Sequence, residues 1–139
     1  MVAFDTNVLT EILLGNPPFV LRAYAIPNSS QSLPIIVVEE IIRGRLNVIR
    51  QAESGKARIG LERAYELFQE TFNDARRLQI LAYTSAAESL FKQWRQQGIR
   101  VSTYDLRIAA ICVAHAATLV TRNRRDFEDI PGLAVEFWE

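Results

Sequence analysis

Short apolar runs alternate with helical patterns along most of this chain, and that alternation limits the possible folds more than any other feature. Val2–Phe4 is an apolar run that predicts a buried strand. Residues 33–38 include four β-branched residues in a row, which predicts a second strand covered on both faces. Three more strands are predicted at residues 80–83, Thr118–Thr121 and 133–138. Strands separated by helices favour a parallel sheet, so the predicted fold class is α/β, a three-layer α/β/α sandwich with a central, mainly parallel sheet.

Helix signals fill the segments between the predicted strands. Asp5, Thr84 and Ser102 are residues that favour helix N-caps, and an apolar pattern of helical spacing follows each of them. Another helix is predicted to open at Glu39 and Glu40, and a helical stretch at about residues 54–80 is expected to stand off the sheet as a hairpin. No linker, repeat or low-complexity segment interrupts the chain, so residues 1–139 are predicted to form a single domain.

Composition excludes several classes of protein. Apolar residues make up 49% of the 139 residues, too many for a disordered chain, and no apolar run reaches the ~20 residues that span a membrane. A single cysteine, Cys112, cannot build a disulfide framework or a thiolate metal cluster. These features predict a soluble, cytoplasmic protein with no membrane partner. Sixteen basic and sixteen acidic residues cancel, so total charge gives no argument for nucleic-acid binding.

Four acidic side chains lie at or just beyond predicted strand ends. Asp5 directly follows the first strand, Glu40 follows the second, Asp105 opens a helix, and Asp126 comes shortly after the strand that ends at Thr121. The carboxyl ends of parallel strands meet at one edge of a sheet, so we expect these four acids to converge. Gathered carboxylates repel one another, and a hard cation such as Mg²⁺ or Mn²⁺ relieves that repulsion. A metal held in this way can activate water and bind a phosphodiester.

Each acid also has a purely structural interpretation. An N-cap role would by itself account for Asp5, and the helix dipole favours an acid at Glu40 or equally at Glu39. The spacing from Ser102 to Asp105 matches a capping box. These roles explain the residues singly, but not their common placement at one edge of the sheet.

Arginines surround the last of the four acids. Arg122, Arg124 and Arg125 lie within five residues of Asp126, and guanidinium groups suit the oxygens of a phosphate. Arg43, shortly after Glu40, would extend this basic rim. The pattern therefore predicts a nucleic-acid backbone beside the acidic site. A solvated loop whose arginines pair with neighbouring acids is the alternative interpretation.

Several segments in order resemble the PIN-domain family, and the closing segment is similar to its VapC-type toxin branch. The segments are VAFDTNVL at residues 2–9, EIIRG at 40–44, DLRIAA at 105–110, LVTRNRRDF at 119–127 and IPGLAVE at 130–136. Together they extend over nearly the whole chain. The resemblance implies an α/β/α sandwich and a ribonuclease that depends on Mg²⁺ or Mn²⁺.

The resemblance also implies roles for particular residues. Asp5, Glu40 and Asp105 match the metal-binding acids of the family. Some PIN domains carry an acid where this chain has Asn123, whereas VapC-like members commonly have Asn there and Asp three residues later. Asp126 would therefore be the fourth acid, with Asn123 assisting it by hydrogen bonding.

Further implications concern a polar neighbour of the metal and the protein partners. Thr6 matches a polar residue that orients an acid or a water near the metal. VapC-like proteins usually dimerise and are neutralised by a small VapB-like antitoxin, whose tail enters the active-site groove and often presents an arginine. The implied partners are therefore an RNA substrate, an antitoxin and a second copy of the chain.

The leading hypothesis is a metal-dependent endoribonuclease in which the arginines near Asp126 steer RNA. A non-catalytic module with the same fold is the first alternative. A phosphoacceptor receiver domain also gathers acids around Mg²⁺, but it needs a lysine at a strand end, and Lys56 and Lys92 both lie in predicted loop or helix. These residues do not distinguish RNA from DNA as substrate.

Overall fold

The computed structural model describes residues 1–139. Its five strands are β1 (Val2–Phe4), β2 (Gln31–Pro34), β3 (Gln79–Leu81), β4 (Thr118–Thr121) and β5 (Val135–Phe137). Its seven α-helices are α1 (Thr6–Leu13), α2 (Pro17–Tyr24), α3 (Ile35–Glu53), α4 (Leu61–Ala75), α5 (Ser85–Gln96), α6 (Thr103–Ala114) and α7 (Arg124–Phe127). None of these helices is both long enough and apolar enough to cross a membrane.

The five strands form one sheet in the order β3-β2-β1-β4-β5, and every neighbouring pair is parallel. Helices connect the strands and cover the sheet, so the predicted α/β/α sandwich with a parallel sheet is confirmed. The central strands carry the most buried side chains: Phe4 is 1% exposed and Leu119 and Val120 are 0% exposed. Burial on both faces explains why these runs are apolar without alternation.

Helix α6 is the most deeply buried helix of the fold. Five consecutive residues, Ile108 to Cys112, are each 0% exposed, and the helix contacts β2, β4, α3 and α5. Ala109 and Ala110 are small, which allows the helix to approach its neighbours closely. Because α6 leads into the amino end of β4, its own first turn lies at the opposite edge, where the strands end. This arrangement brings Asp105 to the carboxyl edge of the sheet.

The prediction of a strand at residues 33–38 is wrong. Strand β2 occupies Gln31–Pro34, and the β-branched run from Ile35 to Val38 forms the first turn of α3. Pro34 has φ −58° and ψ 140°, so it ends the strand and precedes the helix. Ile36 and Val37 are buried in the core, and this burial outweighs the weak preference of β-branched residues for strands. Glu40 therefore lies in the second turn of a helix and not in a turn after a strand.

Other element boundaries also differ from the prediction. Strand β3 begins one residue earlier and ends two residues earlier than predicted, and β5 is confined to Val135–Phe137. Within the stretch at residues 54–80, only Leu61–Ala75 is a continuous helix, and α4 packs along α3. The short helix α7 was not predicted. Its N-cap is Asn123, whose side-chain oxygen accepts a hydrogen bond from the Asp126 N–H.

Candidate functional site

Asp5 lies at the end of β1, where it is only 5% exposed. Its Oδ1 accepts a hydrogen bond from the Thr6 N–H at 2.8 Å, so Asp5 does act as the N-cap of α1. Its Oδ2 accepts a second hydrogen bond, from the Thr121 hydroxyl at the end of β4, at 2.7 Å. Burial raises the pKa of the Asp5 carboxyl above its usual value; the two hydrogen bonds lower it and the charge of Asp126 raises it again. The capping role of Asp5 is therefore confirmed, and it does not prevent the carboxyl from lying among the gathered acids.

Glu40 faces Asp5 from helix α3. The Thr6 hydroxyl donates a hydrogen bond of 3.0 Å to Glu40 Oε1, which ties the start of α1 to the second turn of α3. Burial is the main cause that raises the pKa of Glu40, and the charge of Asp5 adds to it. Glu39 instead points to the exterior and pairs with Arg43 at 2.6 Å. The structure therefore distinguishes Glu40, which faces Asp5, from Glu39, which the sequence made equally suitable for the site.

Asp105 occupies the first turn of α6. Its backbone N–H donates to the Ser102 hydroxyl at 3.3 Å, so Ser102 is the N-cap of the helix, as the sequence predicts. The pKa of Asp105 is raised to about 6, first by burial and then by the charge of Asp5, with smaller contributions from Glu40 and Asp126. Each of the other three acids therefore lies close enough to repel the charge of Asp105.

Asp126 completes the group from the first turn of α7. The Asn123 side-chain amide donates to Asp126 Oδ2 at 2.6 Å, and the Asp126 N–H donates to Asn123 Oδ1 at 3.2 Å. The Asn123 N–H in turn donates to the Thr121 hydroxyl oxygen at 3.1 Å. A hydrogen-bond chain therefore runs from Asp126 through Asn123 and Thr121 to Asp5. It fixes the end of β4 relative to the end of β1.

These four acids form what we call the carboxylate pocket, defined by Asp5, Glu40, Asp105 and Asp126. None of the six ion pairs in the protein includes any of them, although the chain has 16 basic residues. The pocket thus gathers mutually repelling charges, and no basic side chain forms an ion pair with them. All of its donor atoms are hard carboxylate oxygens, which suit a divalent cation such as Mg²⁺. No three acidic, histidine or cysteine side chains converge tightly enough to form a ready-made metal site, so the donors fit by chemistry and charge rather than by fixed geometry.

Comparison with known proteins agrees with this fold. The family profile described as the PIN domain matches residues 2–133. The chain belongs to the PIN-domain family. This confirms the family that the sequence segments resemble.

Two relatives are similar to this chain in sequence, and one solved structure is similar to it in fold. The chain is 28% identical over 138 residues to the tRNA(fMet)-specific endonuclease VapC of Salmonella typhimurium, covering 96% of this chain and 95% of that protein. It is 34% identical over 67 residues to ribonuclease VapC2 of Rickettsia felis, covering 45% of this chain and half of that protein's length (50%). The crystal structure of VapBC2 from Rickettsia felis bound to a DNA fragment from their promoter has the same fold, with a TM-score of 0.77, 22% identity and 100% coverage of both chains.

The arginines that were predicted to bind RNA are mostly engaged within this PIN domain. Arg43 pairs with Glu39 at 2.6 Å and lies over the ring of Tyr104. Residues 122–125, which we call the arginine loop, contribute two further pairs. Arg122 pairs with Glu11 at 3.1 Å, and Arg124 pairs with Glu139 at 2.9 Å and lies over Phe137. Arg125 is exposed and takes part in no ion pair.

Sequence reasoning missed Thr121 as part of the site. Its side chain is 0% exposed, donates to Asp5 and accepts from the backbone of Asn123. A polar residue directly after the apolar Leu119 and Val120, and directly before the arginine loop, was the available signal. The structure places Thr6, Asn123 and the four acids around one pocket, while their chemical roles remain predictions.

Proposed function

We propose that this PIN domain is a metal-dependent endoribonuclease of the VapC type that hydrolyses RNA phosphodiester bonds. The supporting observation is the carboxylate pocket, where four mutually repelling acids face one another at the carboxyl edge of the sheet and none of them forms an ion pair with a basic side chain. The names of the relatives VapC and VapC2, an endonuclease and a ribonuclease, support the same activity.

Asp5, Glu40, Asp105 and Asp126 would hold one or two Mg²⁺ or Mn²⁺ ions. When bound, such an ion neutralises phosphate charge and lowers the pKa of water, which favours in-line attack on phosphorus. The chain's own residues prepare the ligands. Thr121 holds Asp5 by a 2.7 Å hydrogen bond, and Asn123 holds Asp126 by one of 2.6 Å. Restricting these rotamers reduces the ordering cost of binding a cation.

Thr6 and Asp105 contribute in different ways. The Thr6 hydroxyl donates a hydrogen bond to one oxygen of Glu40, which leaves the second oxygen of that carboxylate free for a cation. Asp105 has a pKa of about 6, so without a cation it carries a proton for part of the time near neutral pH. Loss of this proton on binding would make the affinity for a divalent cation increase with pH.

The direct test is an RNA-cleavage assay with the purified protein in Mg²⁺, Mn²⁺ or EDTA, using total tRNA, messenger RNA fragments and single-stranded DNA. We expect RNA cleavage that requires a divalent cation and leaves DNA intact. RNA binding without cleavage under every metal condition would favour the non-catalytic module instead. Equal cleavage of DNA and RNA would contradict the assignment to ribonucleases.

We further propose that the protein is the toxin of a toxin–antitoxin pair, a homodimer neutralised by a VapB-like antitoxin. The VapBC2 complex of Rickettsia felis supports this proposal, and so does an acidic pocket that suits an arginine side chain. Large apolar side chains remain exposed at Leu14, Leu21 and Tyr24, consistent with protein partners. Expression of the chain alone, and together with any short reading frame encoded beside it, tests the toxin role through cell growth. Sedimentation of the purified chain tests the dimer, which a monomer at micromolar concentration would contradict.

A further inference from the structure

A cleft of about 640 Å³ extends from the carboxylate pocket, between the loop that precedes α6 and helix α7. Residues 99–101 form one wall, and Asn123, Arg125 and Asp126 form the other; Asp129 and Ile130 also line it. Asp126 belongs to both the carboxylate pocket and this cleft, which we call the α6–α7 cleft. A volume of this size is within the range of clefts that hold small ligands, and it suits a nucleotide unit.

Both walls of the cleft are held in place by the core. Arg95 donates from Nη1 to the Ile99 carbonyl at 2.8 Å, and the Ile99 N–H donates to the Trp94 carbonyl at 3.0 Å. On the other wall, Phe127 is 0% exposed and Ile130 is 5% exposed, so they anchor α7 and the turn that follows it. The cleft is therefore a preformed feature of the fold.

Two arginines in this cleft have no partner. Arg100 and Arg125 are exposed, and neither forms an ion pair or a side-chain hydrogen bond with another residue. Asp129 also lines the cleft but pairs with neither of them. An unpaired guanidinium beside a carboxylate pocket is free to donate a pair of hydrogen bonds to the oxygens of a phosphate. Arg43, Arg122 and Arg124 differ from these two because each already pairs with an acid of the protein, and that pair must be exchanged before a phosphate can bind.

We propose that the α6–α7 cleft binds the RNA strand next to the cut site, with Arg100 and Arg125 holding its phosphate groups. This proposal rests on the proposed ribonuclease function. It adds Arg100, which lies outside every segment that resembles the family, to the residues expected to bind RNA. Of the three arginines in the arginine loop, it assigns phosphate binding to Arg125. The strand would leave the carboxylate pocket past Asp126 and run along residues 99–101.

The test uses the full-length protein in Mn²⁺ and an RNA of about twelve nucleotides that the wild type cuts at one position. The variants are Arg100→Ala and Arg125→Ala. The matched control is Arg76→Ala, because Arg76 is exposed, forms no ion pair and precedes the amino end of β3, at the opposite edge of the sheet. The measured quantities are kcat and KM at several salt concentrations.

We expect each cleft variant to raise KM about tenfold while kcat stays within about twofold, as the loss of one phosphate contact implies. The salt dependence of KM should weaken by about one phosphate contact in each variant, a change that a general loss of structure would not produce. Trimming the RNA until it no longer extends beyond the pocket should make wild-type and variant KM values equal.

If Arg100→Ala and Arg125→Ala behave like Arg76→Ala while the wild type cleaves the long RNA, the cleft proposal is overturned and the ribonuclease proposal stands. If the wild type cleaves no RNA, the ribonuclease proposal fails. The cleft is then tested by fluorescence anisotropy with a labelled single-stranded RNA of the same length. Weaker binding by the two cleft variants alone supports the cleft proposal, and equal binding by all proteins overturns it.

Discussion

The carboxylate pocket and the arginine loop differ in whether their charged side chains form ion pairs. In the pocket, four acids lie together without a cation, and burial and mutual repulsion raise the pKa values of Asp5, Glu40 and Asp105. In the arginine loop, Arg122 and Arg124 are each paired with an acid. An exposed ion pair is weak and easily exchanged, whereas gathered charge of one sign is a cost that a ligand can remove. We therefore expect the unpaired acids of the pocket to matter more for ligand binding than the paired arginines of the loop.

The largest expected effect comes from Asp5→Asn, which removes the central charge of the pocket. We expect cleavage of RNA to fall on the order of 1000-fold, because the residue would hold the metal whose charge the reaction needs. The fold should persist, since the amide keeps an oxygen that can accept a hydrogen bond. Cleavage rates and circular dichroism measure the two effects. Asp74→Asn, on the exposed end of α4, is the matched control and should leave cleavage unchanged. Wild-type cleavage by the Asp5 variant would refute the mechanism.

A smaller effect is expected from Thr121→Val, which keeps the shape of the side chain but removes the hydroxyl bonded to Asp5. Asp5 would then lose its fixed rotamer, and we expect kcat to fall about tenfold, the usual cost of a lost partner of a metal ligand. Thr118→Val, at the other end of the same strand, is the control. A purely structural role would lower stability without lowering kcat at a temperature where the variant is fully folded. That result would remove Thr121 from the site.

Asp105→Asn should stabilise the metal-free protein. The pKa of Asp105 in the fold, about 6, lies above its ordinary value of 3.8, so the folded state binds this proton more tightly than the unfolded state. Its contribution to stability is complete below about pH 4 and is lost as the pH rises through about 6. At pH 7.5 in EDTA we expect the variant to be more stable by about 1 kcal/mol, after allowance for solvent screening. Urea unfolding from pH 4.5 to 8 measures this, and an unchanged difference across that range would contradict it.

The smallest effects are expected in the arginine loop, where substitutions should hardly change the free energy of unfolding. Arg122→Ala breaks an exposed pair with Glu11, and such pairs contribute little, so we expect a loss below about 0.5 kcal/mol. Arg125→Ala breaks no pair and should leave the free energy of unfolding unchanged within error. Urea unfolding of both variants under the same conditions measures the difference. A loss of several kcal/mol in either variant would show that the arginine loop stabilises the fold.

The sequence predicted those parts of the fold whose signals are local. The apolar runs of β1 and β4 and the caps at Asp5, Thr84 and Ser102 depend on neighbouring residues, and the structure confirms them. The strand predicted at residues 33–38 was wrong because burial against the core decides that segment, and burial is not visible in a run of four residues.

The candidate site was predictable only in part. Asp5 and Asp126 come after the strand ends of β1 and β4, a position that can be inferred from the order of elements, whereas Glu40 lies in the second turn of α3 and Asp105 in the first turn of α6. Thr121 was missed because its partner Asp5 is 116 residues away in the chain. The cleft lined by Arg100 was not predicted because it forms only where residues 99–101 pack opposite α7. The acids that pair with Arg122 and Arg124 are likewise brought to them by packing, whereas Glu39 lies one helical turn before Arg43.

The hydrogen bond between Thr121 and Asp5 has a consequence for the order of events during synthesis. Strand β1 leaves the ribosome first, but its neighbour β4 follows more than a hundred residues later, with the arginine loop and Asp126 directly behind it. Until β4 inserts beside β1, Asp5 lacks its buried partner and Asp126 has no fixed position. We therefore expect the pocket to appear in a single late step, so that a ribosome-bound fragment ending before residue 118 would be without it.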